Sequence, residues 1–266
     1  DGYIGWPLVI NLLKNTKHTI VGIDNLKRRK WVKEVNAQSA LKIASYNQRK
    51  KFIKKFNKKN EFFNIDLSKF SKIDKIISKF KFDKIINLAA QPSAPYSFLN
   101  IEKCNYTQNN NNQSLRNIIW SIKKNNLEKK TKLIHTTTTG VYGAPKFPIP
   151  EGYLKKNNED FPFGFMAGSW YHMSKCNDIN SLHVAKKTMG IDYLDFRTAI
   201  TIGLNYDGFE NSKDLFLHLK RNENSYYPKG KKDNTHLSKL GANKIAFLVV
   251  KELKRSGILL NYIKDS

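Results

Sequence analysis

The chain has 266 residues, 40% of them hydrophobic, and carries a formal charge of +25 at pH 7. That length can bury one sizeable core, as a single α/β domain or a domain with an appendage. No apolar run approaches the roughly 20 residues of a membrane span, no signal peptide is read at the start, and Cys104 and Cys176 cannot build a disulfide framework. The expectation is a soluble cytoplasmic protein with no membrane partner.

In chain order, Asp1-Gly2-Tyr3-Ile4-Gly5-Trp6 reads as the second half of a glycine-rich turn, opening an amphipathic helix over Trp6 to Asn15. The strand that feeds such a turn is not in the numbering. Thr19 to Ile23 reads as a buried strand ending at Asp24, and Glu61 to Ile65 as one ending at Asp66. Lys84 to Leu88, Lys132 to Thr136 and Asp192 to Arg197 read as further strands. Helical patterns lie near Gln48 to Asn57, Ser71 to Phe80, Gln113 to Lys124 and Ser169 to Met189. Apolar strands alternating with helices predict an α/β fold, a Rossmann-type doubly wound parallel sheet. Ser212 to Gly230 is polar and loop-like, and Leu240 to Lys254 is an amphipathic helix. The predicted organisation is therefore a domain over residues 1–208 and a short, mostly helical C-terminal appendage over 209–266.

The lysines near Arg49 to Lys59 interleave with Phe52, Ile53 and Phe56, but those apolar residues sit at helical spacing. A solvated lysine face on a surface helix accounts for them, and no nucleic-acid partner is expected. The basic charge still favours anionic ligands.

The turn Gly2-x-x-Gly5 ahead of a helix, with Asp24 nineteen positions beyond Gly5 at a strand end, predicts a dinucleotide site. Glycine lets the backbone approach a pyrophosphate, the helix N-terminus stabilises its charge, and the carboxylate bonds ribose hydroxyls. Asp24 favours NAD over NADP, although Arg28 and Arg29 follow closely. The expected cofactor contacts are Gly2, Tyr3, Ile4, Gly5, Asp24, Asn25 and Arg28, with Asp66 and Leu67 near the adenine and Leu88 and Ala89 beneath the cofactor.

Tyr171-His172-Met173-Ser174-Lys175 sets a tyrosine and a lysine four apart, on one helix face. Lowering a phenol from its usual value near 10 to about 7 takes about 4 kcal/mol of preferential phenolate stabilisation, which a nearby ammonium can help supply. Lys175 is also expected to bond the nicotinamide ribose. Thr138, at the strand end before Gly140-Val141-Tyr142-Gly143, supplies the third catalytic group and a substrate contact. His172 points away from the face of Tyr171, and His18, His135 and His183 receive neither a role nor a metal.

Together these motifs resemble UDP-sulfoquinovose synthases, extended short-chain dehydrogenases related to nucleotide-sugar epimerases and dehydratases. The resemblance covers roughly residues 1–208. It rests on Asp1-Gly2-Tyr3-Ile4-Gly5-Trp6, Asp24-Asn25-Leu26-Lys27-Arg28-Arg29, Ser93-Ala94-Pro95-Tyr96-Ser97, Glu151-Gly152-Tyr153 and Trp170-Tyr171-His172-Met173-Ser174-Lys175. It implies bound NAD, UDP-glucose and sulfite as substrates, oxidation at the sugar C4, loss of water, sulfite addition, and a homodimer. It also implies Gln91, Ser93, Tyr96 and Thr138 as substrate contacts, and Thr138, Tyr171 and Lys175 as catalytic residues. Val141 stands where that family often has glutamate, and in this the chain resembles generic UDP-sugar epimerases and dehydratases instead. A non-catalytic NAD-binding remnant is the third reading, since no sugar-binding part is recognisable beyond Gly208.

The tail resembles something else. Asp233-Asn234-Thr235-His236-Leu237-Ser238 is similar to the end of rhamnogalacturonan-acetylesterase-like SGNH hydrolases, in which Asp-x-x-His orients and supplies a base. No Gly-Asp-Ser nucleophile accompanies it, and the chain reads as pieces of two proteins joined.

Overall fold

The computed structural model describes residues 2–36, 43–143, 154–155, 162–163, 166–196, 213–225, 227–232 and 237–255. Contacts divide the chain into a unit Asp1–Arg197 and a unit Thr198–Ser266. The boundary expected at 208/209 falls outside the described residues.

In the first unit, α1 (Gly5–Asn15) leads into β1 (Val21–Asp24), α2 (Arg28–Glu34), α3 (Tyr46–Lys54), β2 (Glu61–Asn64) and α4 (Phe70–Phe80). Then come β3 (Lys84–Asn87), a 3₁₀ turn (Pro95–Phe98), α5 (Ile101–Lys124), β4 (Lys132–Thr136) and a second 3₁₀ turn (Thr139–Tyr142). A two-residue pair, β5 (Leu154–Lys155) and β6 (Pro162–Phe163), precedes α6 (Trp170–Met189) and β7 (Tyr193–Phe196).

β1 pairs parallel with β2, from Val21 opposite Glu61 to Asp24 opposite Asn64. β4 lies between β3 and β7, parallel to both, with Ile134 opposite Ile86 on one side and Leu194 on the other. Among the described residues no ladder joins β1 to β3, so the parallel strands form two hydrogen-bonded groups. In a doubly wound sheet, the strand feeding the glycine-rich turn lies between these two groups.

Helices follow local chemistry. Ser45 and Gln48 form a reciprocal capping box at the start of α3. The Asn100 side chain accepts from the Lys103 amide at the start of α5, and Ser169 accepts from the His172 amide at the start of α6. Gly190, at φ +70°, ends α6 in the left-handed conformation that suits glycine. The main core joins Leu67, Ile73 and Ile77 to Leu115, Ile118, Ile119 and Ile122 of α5, Leu133 of β4, and Leu182 of α6.

Two helices exceed the sequence reading. α2 was not expected, and α5 is twice as long as the predicted Gln113 to Lys124. The first half of α5 contains Asn109 to Asn112, which break the apolar period. There Thr107 and Asn111 are buried because hydrogen bonds replace apolar packing.

In the second unit, a 3₁₀ turn (Lys213–Leu215) and isolated antiparallel bridges, Phe216 with Leu237 and Leu219 with Lys231, precede α7 (Lys239–Arg255). Ser238 accepts from the Gly241 amide at 3.1 Å and donates its hydroxyl hydrogen to the Asp214 carbonyl at 2.7 Å. A Cβ on Gly241 would lie 2.0 Å from the Leu215 carbonyl oxygen, so only glycine lets α7 sit against that turn. No helix among the described residues is long and apolar enough to cross a membrane.

Candidate active site

The expected nucleotide contacts collect at α1 and at the C-terminal ends of β1, β2 and β3. Ile4, at the start of α1, provides no side-chain cap, so the helix presents its leading amides without side-chain competition. A Cβ on Gly2 would meet nothing within 4 Å, and Tyr3 and Ile4 are exposed, which leaves this turn open. Gly5 packs toward Leu88 at the end of β3.

Asp24 accepts from the Leu26 amide at 2.6 Å, folding the chain back after β1. Asn25 and Lys27 then donate to Asp66, at 3.3 and 2.8 Å, tying the ends of β1 and β2 together. Burial opposes ionisation of Asp66, yet hydrogen bonds from Lys27 and Ser68 outweigh it and hold the carboxyl at about 2. The sign follows: its folded value is below the unfolded one, so its stabilisation is complete above about pH 4 and is lost as pH falls toward 2. Asp66→Asn is expected to cost about 1 kcal/mol at neutral pH, after discounting for the partly exposed Lys27. Urea titrations at pH 7 and pH 2.5 should show that difference shrinking in acid; an equal difference at both would refute it.

The Leu67 side chain belongs to the core, and its carbonyl accepts from Asn117 at 2.7 Å. Arg28 is exposed, whereas Arg29 donates to the Ala44 carbonyl at 2.7 Å.

The tyrosine and lysine lie in the first two turns of α6, beside the end of β4. Lys175 is 2% exposed; its Nζ donates to the Thr136 carbonyl and to Asp178 Oδ2, both at 3.1 Å. Thr138 follows two residues beyond Thr136, and its hydroxyl oxygen accepts from the Gly140 amide at 3.2 Å. The Tyr171 and His172 ring centroids lie 5.2 Å apart. The His172 ring fills the space over Gly140, where a Cβ would come within 2.3 Å of its Nε2. Burial first, then the charge of Asp178, push Tyr171 up to about 12. A phenol at that value is no base at neutral pH, so proton abstraction requires positive charge brought to its oxygen.

Sequence reasoning missed the layer under this pair. His135 of β4 hydrogen-bonds Asn87 at 3.0 Å through Nδ1 and Asp178 at 3.1 Å through Nε2. No local motif in the sequence marks His135, and an i+3 carboxylate on the same helix carries little signal by itself.

The expected sugar contacts divide. Gln91 is 2% exposed, and its side-chain oxygen accepts from the Ser93 amide at 2.8 Å. Tyr96 is 4% exposed; its hydroxyl donates to Glu34 at 3.0 Å, and Lys103 pairs with the same carboxylate. Both side chains therefore hold the 91–98 turn to its surroundings. Sugar contact by Tyr96 would require opening the Glu34 bond, while Ser93 and Thr138 remain partly exposed. Glu151, Gly152, Tyr153, Asp233 and His236 lie outside the described residues.

Parallel strands whose C-terminal ends gather a glycine turn, two carboxylates and a Tyr-x-x-x-Lys helix define a Rossmann-type protein of the epimerase and dehydratase class. The chain belongs to the GDP-mannose 4,6 dehydratase family, whose model matches residues 1–198. It is 31% identical over 203 residues to the UDP-sulfoquinovose synthase of Sulfolobus acidocaldarius, an alignment covering 73% of this chain and 50% of that protein. The chain thus spans about half the length of such a relative. Its fold matches the UDP-Glc/GlcNAc 4-epimerase of Campylobacter jejuni with a TM-score of 0.55 at 23% identity, covering 74% of this chain and 50% of that one. It also matches the UDP-glucuronic acid 4-epimerase of Bacillus cereus, solved in complex with UDP-glucuronic acid and NAD, with a TM-score of 0.51 at 21% identity, covering 74% and 53%. The C-terminal part is similar to the rhamnogalacturonan acetylesterase of Bacillus subtilis, 31% identical over 81 residues, 30% of this chain and 35% of that protein.

Proposed function

We propose that residues 1–208 form an NAD-binding domain that oxidises the sugar of a UDP-sugar, in the manner of a UDP-sulfoquinovose synthase acting on UDP-glucose and sulfite. The observation that carries this reading is the placement of Tyr171 and Lys175 at the start of α6, with Lys175 bonded to the end of β4 two residues before Thr138. The uncapped start of α1, the open Gly2 turn and the carboxylates Asp24 and Asp66 fit a dinucleotide. Bound NAD supplies the hydride acceptor and a positively charged ring.

The chain's own residues then divide the work. Gly2, Tyr3, Ile4 and Gly5 hold the pyrophosphate by backbone amides at the start of α1. Asp24, with Asn25 and Arg28 beside it, binds the ribose hydroxyls. Asp66 and Leu67 border the adenine, and Leu88 and Ala89 line the floor. Tyr171 takes the proton from the sugar hydroxyl, Thr138 orients that hydroxyl, and Lys175 stabilises the phenolate. Ser93 contacts the sugar, and Gln91 shapes the turn that carries it. Residues 209–266 are read as an appendage with no assigned chemistry.

The second reading is a UDP-sugar epimerase or dehydratase that does not use sulfite; Val141, where glutamate is frequent among the synthases, favours it.

The test is calorimetric titration with NAD, followed by UDP-glucose on the NAD-loaded chain. Saturable binding of both is expected. Failure to bind NAD would overturn the proposal, and binding of NAD alone would overturn its substrate half. Product analysis with and without sulfite then separates the two readings.

A further inference from the structure

Three ionisable side chains, each nearly excluded from water, meet behind the Tyr171–Lys175 pair. Asp178, His135 and Lys175 are 1%, 1% and 2% exposed. Asp178 Oδ2 is shared: it lies 3.1 Å from Lys175 Nζ and 3.1 Å from His135 Nε2. His135 is held from its other side by Asn87, so the chain of contacts runs from β3 through β4 to α6. Three ionisable groups are costly to bury, and breaking such a cluster by removing one partner leaves an uncompensated charge. The core gains nothing from them that leucine would not supply, and their position under the reacting pair suggests what they are for.

We propose that Asp178 and His135 are positioning residues for the catalytic pair: Asp178 fixes the Lys175 ammonium against the end of β4 and offsets its charge, and His135 fixes Asp178. This rests on the reading of Tyr171 and Lys175 as the reacting pair. The lysine otherwise has four freely rotating bonds and no reason to stop at one place. Here the Thr136 carbonyl and Asp178 leave its ammonium one location, beneath the strand end that carries Thr138.

The charge balance matters as much as the position. Burial, then the Lys175 charge, hold His135 below its usual value, so the imidazole is neutral. Asp178 stays ionised because Lys175 and His135 outweigh its burial. Lys175 and Asp178 therefore form a pair that is neutral overall, and the charge that reaches Tyr171 is that of Asp178, which raises it.

Other elements packed on α6 add few charges. β7 contributes Asp195, which accepts from Thr137 at 2.5 Å and also acts on His135. The 139–142 turn contributes Tyr142, packed with Ile179, and the 95–98 turn Tyr96, bonded to Glu34. α5 brings the uncharged Asn111, bonded to Ser174 beside Lys175.

The experiment is a pH titration of the full chain carrying ring-labelled tyrosine, followed by carbon NMR, with the Tyr171 signal identified by its loss in Tyr171→Phe. Asp178→Asn is expected to lower the Tyr171 midpoint by about one pH unit, because the carboxylate charge that raises it is removed and the ammonium is no longer offset. Asp178→Glu is expected to restore most of the shift. An unchanged midpoint in a folded Asp178→Asn chain would overturn the proposal.

A second measurement covers the case in which Asp178→Asn does not fold. Among the described residues Lys175 is the only buried lysine. The unsubstituted chain should therefore show one slowly exchanging lysine ammonium resonance that is absent from Lys175→Met. If no such resonance exists, the tether is wrong. Neither readout needs cofactor or substrate. Success here with no NAD binding would sink the proposed function and leave the network standing; the reverse result would sink the network alone.

Discussion

Tyr171→Phe is expected to retain NAD affinity and lose hydride transfer by about a thousandfold, within the range that a general base contributes. The phenyl ring keeps the volume that packs beside His172, so thermal stability should change little. Only the oxygen that takes the proton is gone. The assay is the ultraviolet absorbance of reduced nicotinamide after UDP-glucose is added to the NAD-loaded chain. Full hydride transfer by the variant would remove Tyr171 from the mechanism. The unsubstituted chain adds a pH signature. Its Tyr171 is held up to about 12 by burial and then by Asp178. A base works only when deprotonated, and kcat/KM reports groups of the free enzyme. With NAD bound, positive charge reaches that oxygen, so kcat/KM should level at a lower pH than the Tyr171 titration of the cofactor-free chain.

The largest expected loss of stability follows Leu115→Ala. Leu115 is fully buried in α5, in the cluster that also holds Ile73 and Ile77 of α4, Leu133 of β4 and Leu182 of α6. Its truncation removes apolar contacts from several elements at once and leaves a cavity that rigid neighbours only partly close. Leucine-to-alanine changes at such sites cost about 3 kcal/mol, more than a hundredfold in the folding equilibrium. Against a typical total of about 5–15 kcal/mol, that is a large share. Urea unfolding should show the midpoint lowered with an unchanged slope. A loss under about 1 kcal/mol would mean that the cluster relaxes around the gap.

The strands were legible because each is a short apolar run closed by a polar residue: Val21 to Asp24, Lys84 to Asn87 and Lys132 to Thr136 all fall inside or beside the predicted limits. The Tyr171–Lys175 spacing and the glycine turn were legible for a similar reason, since both depend on neighbours in sequence. What could not be read depends on partners far along the chain. The Tyr96 hydroxyl meets Glu34, in a helix that no local pattern announces. His135 had no local motif, and its environment comes from Asn87 and Asp178, 48 and 43 residues away. The first half of α5 failed the apolar period because its buried positions carry amides and hydroxyls whose partners no periodicity can reveal.

That helix has a consequence for how one arrangement is chosen over its near neighbours. A helix buried through leucine alone can rotate or slide by a turn and find almost the same welcome. α5 cannot. Asn111 accepts from the Gln91 amide and donates to the Gln91 carbonyl and to Ser174; Asn117 reaches the Leu67 carbonyl; Ser121 reaches Asp74. Each bond is satisfied in one register and orphaned in the next, at a cost of about 1–3 kcal/mol per buried group. The asparagines thus act as the wards of a lock: they add little to the depth of the native well and much to its uniqueness. Through Ser174, they set the rotation of α6 as well, and with it the direction in which Tyr171 faces.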